Sequence, residues 1–220
     1  SFLDNHAGLI RINQPRCVAG LANVQELKDA GALTLADWGG KLEALNAGQS
    51  AGCMYGAWYV GSLKSSAPEL AGKFGIYRMP SITAEGGAHA ANYGGSSLAI
   101  PAGSANPEAA FAFVKYALAT NDGQVTMLKT QGLVPSLLSA LDDPYISEPL
   151  AYWGGEKLWA DALATLSDVP ADRSTPFLGA ASAIINVAQT KFFNGEFATA
   201  QEALDDAAKQ IAAATGLAIK

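Results

Sequence analysis

The 220-residue sequence predicts a helix-rich α/β fold, and three observations carry that expectation. Apolar residues recur at helical spacing in several segments, such as Val18, Leu21, Val24 and Leu27, and later Leu204, Ala207, Ile211 and Ala214. Short apolar runs over 51–55, 74–79 and 97–100 stop at Gly56, Pro80 and Pro101, as buried strands do. Residues 83–96 hold Gly86, Gly87, Gly94 and Gly95 with few large aliphatics, and read as a long loop at a boundary between two lobes.

In chain order, the first helix is expected over 13–30, with Gly31 at the left-handed position that follows a helix end. Asp37 caps a second helix that runs through Leu45 and is ended by Gly48. A short helix follows over 59–66. Asn106 then caps a helix with Pro107 in its first turn and Glu108 near its positive end. Its apolar face is read as Ala110, Phe113, Val114 and Ala117. Asn121-Asp122-Gly123 starts another helix, which stops at Gly132. A weaker helical stretch covers 150–166, and the loop over 167–176 contains Asp172 and Arg173. The last helical region begins near Ser182, turns at Asn194-Gly195, and closes with a helix that Thr199 and Glu202 start as a capping box.

Composition narrows the function classes. Half the residues are hydrophobic and 15% are charged, so the chain can bury a core. A net charge of −6 with scattered Lys and Arg argues against nucleic acid. No apolar run reaches 18 residues, so nothing spans a membrane as a helix. The first residues do not read as a signal peptide, which a mature secreted protein would equally lack. Cys17 and Cys53 match neither a zinc spacing nor a redox Cys-x-x-Cys; a disulfide and two unpaired thiols both remain open.

Catalytic patterns are missing. His6 and His89 have no neighbouring residues at metal or triad spacing, and no nucleophile elbow, Walker loop or dinucleotide fingerprint occurs. Asp142-Asp143 and Asp205-Asp206 read as solvated surface. The expectation is a protein that is not an enzyme and has no cofactor and no metal.

What remains is a set of aromatic, amide and glycine residues in loops. The stretch from Gly48 to Val60 reads as a strand that breaks at Gly56, with Trp58 just beyond it. Such an aromatic either fills the core or projects into the crevice where open α/β sheets hold ligands. Sugars suit the second reading, because a pyranose packs an apolar face on an aromatic ring. Its hydroxyls demand partners, and each one buried unpaired costs about 1–3 kcal/mol. Trp58, Asn92, Tyr93 and Arg173 are residues of the right kind.

The order of motifs adds a resemblance. Leu-Lys-Asp-Ala-Gly-Ala (27–32) and Leu-Asn-Ala-Gly (45–48) precede Ser-Ala-Gly-Cys-Met-Tyr-Gly-Ala-Trp (50–58). Met-Pro (79–80), Tyr-Gly-Gly-Ser-Ser-Leu-Ala-Ile-Pro (93–101), Ser-Ala-Asn-Pro-Glu-Ala-Ala-Phe-Ala-Phe-Val-Lys-Tyr (104–116) and Asn-Gly-Glu-Phe-Ala-Thr-Ala-Gln-Glu-Ala-Leu (194–204) follow. This series resembles the extracellular, or periplasmic, solute-binding proteins of bacterial ABC sugar importers, of the maltodextrin-binding type. The resemblance covers only the C-terminal half of such a protein, so the chain looks like a fragment.

The resemblance implies a periplasmic-binding-protein-like fold, seen mainly as its helix-rich C-terminal lobe. Residues 1–94 would be the first part of that lobe, 95–150 a crossover segment belonging to the N-terminal lobe, and 151–220 the completion. It implies a monomer, periplasmic or extracellular, that binds a mono- or oligosaccharide in an interlobe cleft and delivers it to ABC permease subunits. By resemblance Trp58 stacks on sugar, Tyr93, Gly94 and Gly95 form the crossover facing the cleft, with Asn92 beside them, and Arg173 lies in the loop before the late helix. A second stacking aromatic is not evident over 179–183. The contrasting expectation is a helix-rich interaction or structural module with Trp58 in its core.

Overall fold

The computed structural model describes residues 3–4, 8–33, 36–82, 89–92, 94–170 and 175–220. Its helices are α1 (Pro15–Asp29), α2 (Trp38–Asn46), α3 (Tyr59–Ser66), α4 (Pro107–Ala119), α5 (Asn121–Gln131), α6 (Leu158–Ala164), α7 (Leu178–Phe193) and α8 (Ala200–Thr215). Its strands are β1 (Leu3–Asp4), β2 (Leu9–Ile10) and β3 (Ala218–Ile219). Single 3-10 turns occur at Pro68–Leu70, Leu138–Asp142, Pro144–Ser147, Ala151–Trp153 and Leu166–Asp168.

Local chemistry accounts for the helix limits. Asp37 accepts from the Gly40 N–H at 2.7 Å, Thr120 from the Gly123 N–H at 3.1 Å, and Thr199 from the Glu202 N–H at 3.2 Å. Glu202 reaches back to the Ala198 N–H at 3.0 Å, one residue earlier than an ideal capping box. Helices α1, α2 and α7 end alike, with Gly31, Gly48 and Gly195 in the left-handed region. In each case the glycine N–H and the one after it close back onto the last turn, as at Gly31 to Lys28 O and Ala32 to Leu27 O.

The chain divides into two compact units. The first holds residues 1–35, 81–87 and 171–220. In it β2 pairs antiparallel with β1 and parallel with β3. Its core joins Ile10 and Leu21 to Ile185 and Phe192 of α7 and to Leu204 and Ile211 of α8. Burying each such side chain contributes about 1.5–3 kcal/mol, which outweighs the weak intrinsic preference of any one helix. Polar contacts fix the register: the Asn13 amide donates to Asp205 at 2.8 Å, and Lys28 donates to the Phe193 carbonyl at 2.8 Å. Of the expected α8 stripe, Leu204, Ala207 and Ile211 are buried, whereas Ala214 is exposed in the final turn.

The second unit holds residues 36–80 and 88–170. Its core gathers Leu45, Tyr59, Val60, Leu63, Leu128, Trp153, Leu158 and Trp159. Helix α3 meets the end of α5 at a glycine contact. A Cβ on Gly61 would sit 2.0 Å from the Gln131 carbonyl oxygen, and one on Gly132 would sit 2.8 Å from the Gly61 nitrogen. The Tyr152 hydroxyl donates to the Ala67 carbonyl at 2.7 Å, and the Gly72 N–H donates to the Tyr152 carbonyl at 2.7 Å.

Several expectations are corrected. The runs over 51–55, 74–79 and 97–100 form no strand; among the described residues no neighbour takes their ladder hydrogen bonds. An apolar run bounded by glycine or proline marks a buried strand only when a partner is present, and residues 51–54 and 97–99 are exposed. Asn106 precedes α4 without a side-chain cap, and its own N–H donates to Ser104 Oγ at 3.3 Å. Phe113 is 65% exposed, so of the expected α4 face only Ala117 is fully buried. Much of the expected loop over 83–96 lies outside the described residues; 89–92 and 94–96 carry no regular structure.

Candidate functional site

The site grows from the turn that opens α3. Trp58 sits at the N-cap position and Tyr59 is the first helical residue. Tyr59 is buried at 2% exposure, while Trp58 and Tyr55 are half-buried against the same core. Tyr55 and Trp58 meet edge to face at 5.1 Å between centroids, Trp58 and Tyr59 at 6.2 Å and 89°, and Tyr55 and Tyr59 tilted at 4.7 Å. Edge-to-face geometry suits the ring quadrupoles, and it stiffens the indole with respect to its base.

Two further groups frame these rings. On one side the Lys41 ammonium lies 4.5 Å from the Tyr55 ring centre and donates to the Tyr55 hydroxyl at 3.2 Å. On the other side Gly94 approaches the indole edge. A Cβ built there would lie 3.3 Å from Trp58 Nε1 and 3.7 Å from its Cδ1. Gly94 and Gly95 both have positive φ, 129° and 108°. A side chain at Gly94 would be strained by its backbone and would crowd the tryptophan. The Asn92 amide donates to the Gly94 carbonyl at 3.3 Å, which ties this segment together locally.

Trp58, Asn92, Gly94 and Gly95 therefore lie in one unit, with Gly94 against Trp58. Tyr93 and Arg173 lie outside the described residues. Trp58 is neither fully core nor fully exposed. One part of it packs on the core, and its indole edge faces Gly94. Sequence reading missed Tyr55 and Lys41. The spacing Tyr55, Trp58, Tyr59 is the signal that could have found the first, since residues three and four apart across a helix start face each other.

Electrostatics around the rings are mild. Burial pushes the Tyr59 hydroxyl up from its ordinary value. Cys17 and Cys53 are both free thiols in this structure, Cys17 half-buried and Cys53 exposed. Among the described residues no group of three or more His, Cys, Asp or Glu side chains could hold a metal ion.

Comparison with known proteins identifies the class. The profile of the bacterial extracellular solute-binding protein family matches residues 3–152, which include α1 to α5 and all of the Trp58 site. The chain belongs to that family, a family of binding proteins and not of enzymes. Among individual relatives it is 33% identical over 131 residues to the lactose-binding protein of Rhizobium radiobacter. Those residues make up 59% of this chain and 31% of that protein, so the chain matches less than a third of its relative's length. No described helix is long and apolar enough to cross a membrane.

Proposed function

We propose that the chain carries about half of a carbohydrate site from the substrate-binding component of an ABC importer. The observation that supports this most is Trp58 beside Gly94: a half-buried indole held by two tyrosines, with a glycine where any side chain would block its edge. Family membership and a relative named for binding lactose point the same way. A saccharide would stack an apolar ring face on Trp58, and backbone groups of 92–95 would serve its hydroxyls. Tyr93 is proposed to join them.

In the longer protein the remaining wall comes from a second lobe, and 95–150 is the segment that crosses to it. The exposed apolar face of α4 supports that reading: Phe111 is 59% and Phe113 65% exposed, more than a helix completing its own fold would leave bare. The ligand bridges the lobes, closure excludes water, and the closed surface docks on the permease in the periplasm or outside the cell. Ligand drives closure only by binding the closed form better than the open one. The protein works as a monomer.

Calorimetric titration of lactose and other small saccharides into the two-lobed protein tests this. Saturable binding of at least one saccharide is expected. No binding of any, together with loss of stability in Trp58→Ala, would favour the reading of Trp58 as core in a structural module.

A further inference from the structure

A cavity opens between α3 and α5, lined by core residues of the same unit. Its volume is about 180 Å3, and its walls include Leu128, Tyr145, Trp153 and Trp159, with Lys64 and Lys129 at its edge. Trp159 is 2% exposed, and its indole N–H has no hydrogen-bond partner among the described residues. A buried donor left unpaired is uncommon and calls for an acceptor. The Tyr152 hydroxyl is already committed to the Ala67 carbonyl. Lys129 stands over the Tyr145 ring at 5.1 Å and lies 3.9 Å from Asp143, which takes part of its charge. Lys64 is exposed. Two ammonium groups and an indole N–H are donors without acceptor capacity, set around aromatic walls. That set rejects a cation and gives a neutral polyol few acceptors for its own hydroxyls. It suits an acceptor-rich anion with a flat apolar body. A cavity of about 150 Å3 is enough for a benzene ring.

We propose that this cavity is a binding site for a small aromatic carboxylate of benzoate size, distinct from the Trp58 surface. The ring would lie among Trp153, Trp159 and Tyr145, and the carboxylate would face Lys64 and Lys129. The site does not depend on the carbohydrate reading, and it belongs to the 220-residue chain as it stands.

Calorimetric titration of the chain with benzoate tests it, with benzyl alcohol as a probe of the same body without the charge. A Kd of about 1 mM is expected for a nine-atom ligand of ordinary efficiency. Benzyl alcohol should bind at least tenfold more weakly. Lys64→Met, at an exposed position that tolerates the change, should weaken benzoate severalfold, and Trp159→Phe should do the same by removing the donor while keeping a ring. Absence of saturation at 20-fold above the expected Kd would overturn the proposal. So would equal affinity for benzyl alcohol, or benzoate binding that Lys64→Met does not alter.

Discussion

At the scale of single residues, glycines set the geometry and aromatics use it. Gly61 and Gly132 let the α3 and α5 backbones touch, and that contact places the turn carrying Trp58. A methyl group at Gly61 would have to displace the Gln131 carbonyl, a backbone atom with no freedom to swing aside. Gly61→Ala is expected to destabilise the chain by about 1–3 kcal/mol, as overpacking does, read as a lower denaturation midpoint with unchanged slope. Gly179→Ala, where no atom lies within 4 Å of the added carbon, should be neutral or slightly stabilising in the same assay.

Titration gives a second expectation at this scale. Burial raises the thiol of Cys17 and the hydroxyls of Tyr59 and Tyr152 above their ordinary values. The folded chain thus holds these protons more tightly than the unfolded chain. Stability from this source is complete below pH 9 and is lost as the pH rises through the folded values, because the unfolded state then binds fewer protons. Chemical denaturation between pH 8 and 10.5 should show falling stability, and Cys17→Ser should flatten the fall near pH 9. A midpoint that rises over this range would contradict the assigned direction.

At the scale of elements, helices were legible and strands were not. A helix carries its signals within its own sequence: Asp37 caps α2, Thr199 and Glu202 start α8, and Gly31, Gly48 and Gly132 stop the helices before them. Residues 51–55, 74–79 and 97–100 were read as strands from apolar runs alone, yet a strand is defined by a neighbour that the run does not encode. The strands that do occur, β1 to β3, are two residues each and too short to give any period. Burial on α4 was misread for a related reason. Phe113 fits an apolar stripe by spacing, but which side of a helix is covered depends on what lies beside it.

The α4 face carries a prediction of its own. Phe111→Ser with Phe113→Ser should change the stability of the 220-residue chain by less than about 0.5 kcal/mol, as exposed substitutions do. In the two-lobed protein the same pair should cost more than about 2 kcal/mol, since each ring would there be buried. Equal effects in the two proteins, by urea denaturation, would remove the support for 95–150 as a crossover segment.

At the scale of the whole molecule, the candidate site was partly legible. Trp58 stood out because a large aromatic follows a glycine break, and Gly94 stood out because paired glycines interrupt a polar loop. Composition and spacing do not bring them together across 36 positions; only the resemblance puts both at one cleft. Tyr55 and Lys41 passed unnoticed because each is ordinary in its local context. Family membership supports the proposal that the aromatic turn receives a solute, which composition alone could not.

The most direct test is calorimetric titration of lactose into the two-lobed protein and its Trp58→Ala variant, with urea denaturation of both. Loss of the stacking ring should weaken binding by about 10- to 100-fold, equivalent to about 1.4–2.8 kcal/mol, while stability falls by no more than about 1 kcal/mol. The 220-residue chain alone should bind lactose too weakly to measure in the micromolar range, because one wall is not a cleft. Unchanged affinity in Trp58→Ala alongside a stability loss above about 3 kcal/mol, the range of a large core aromatic, would contradict Trp58 as a ligand platform.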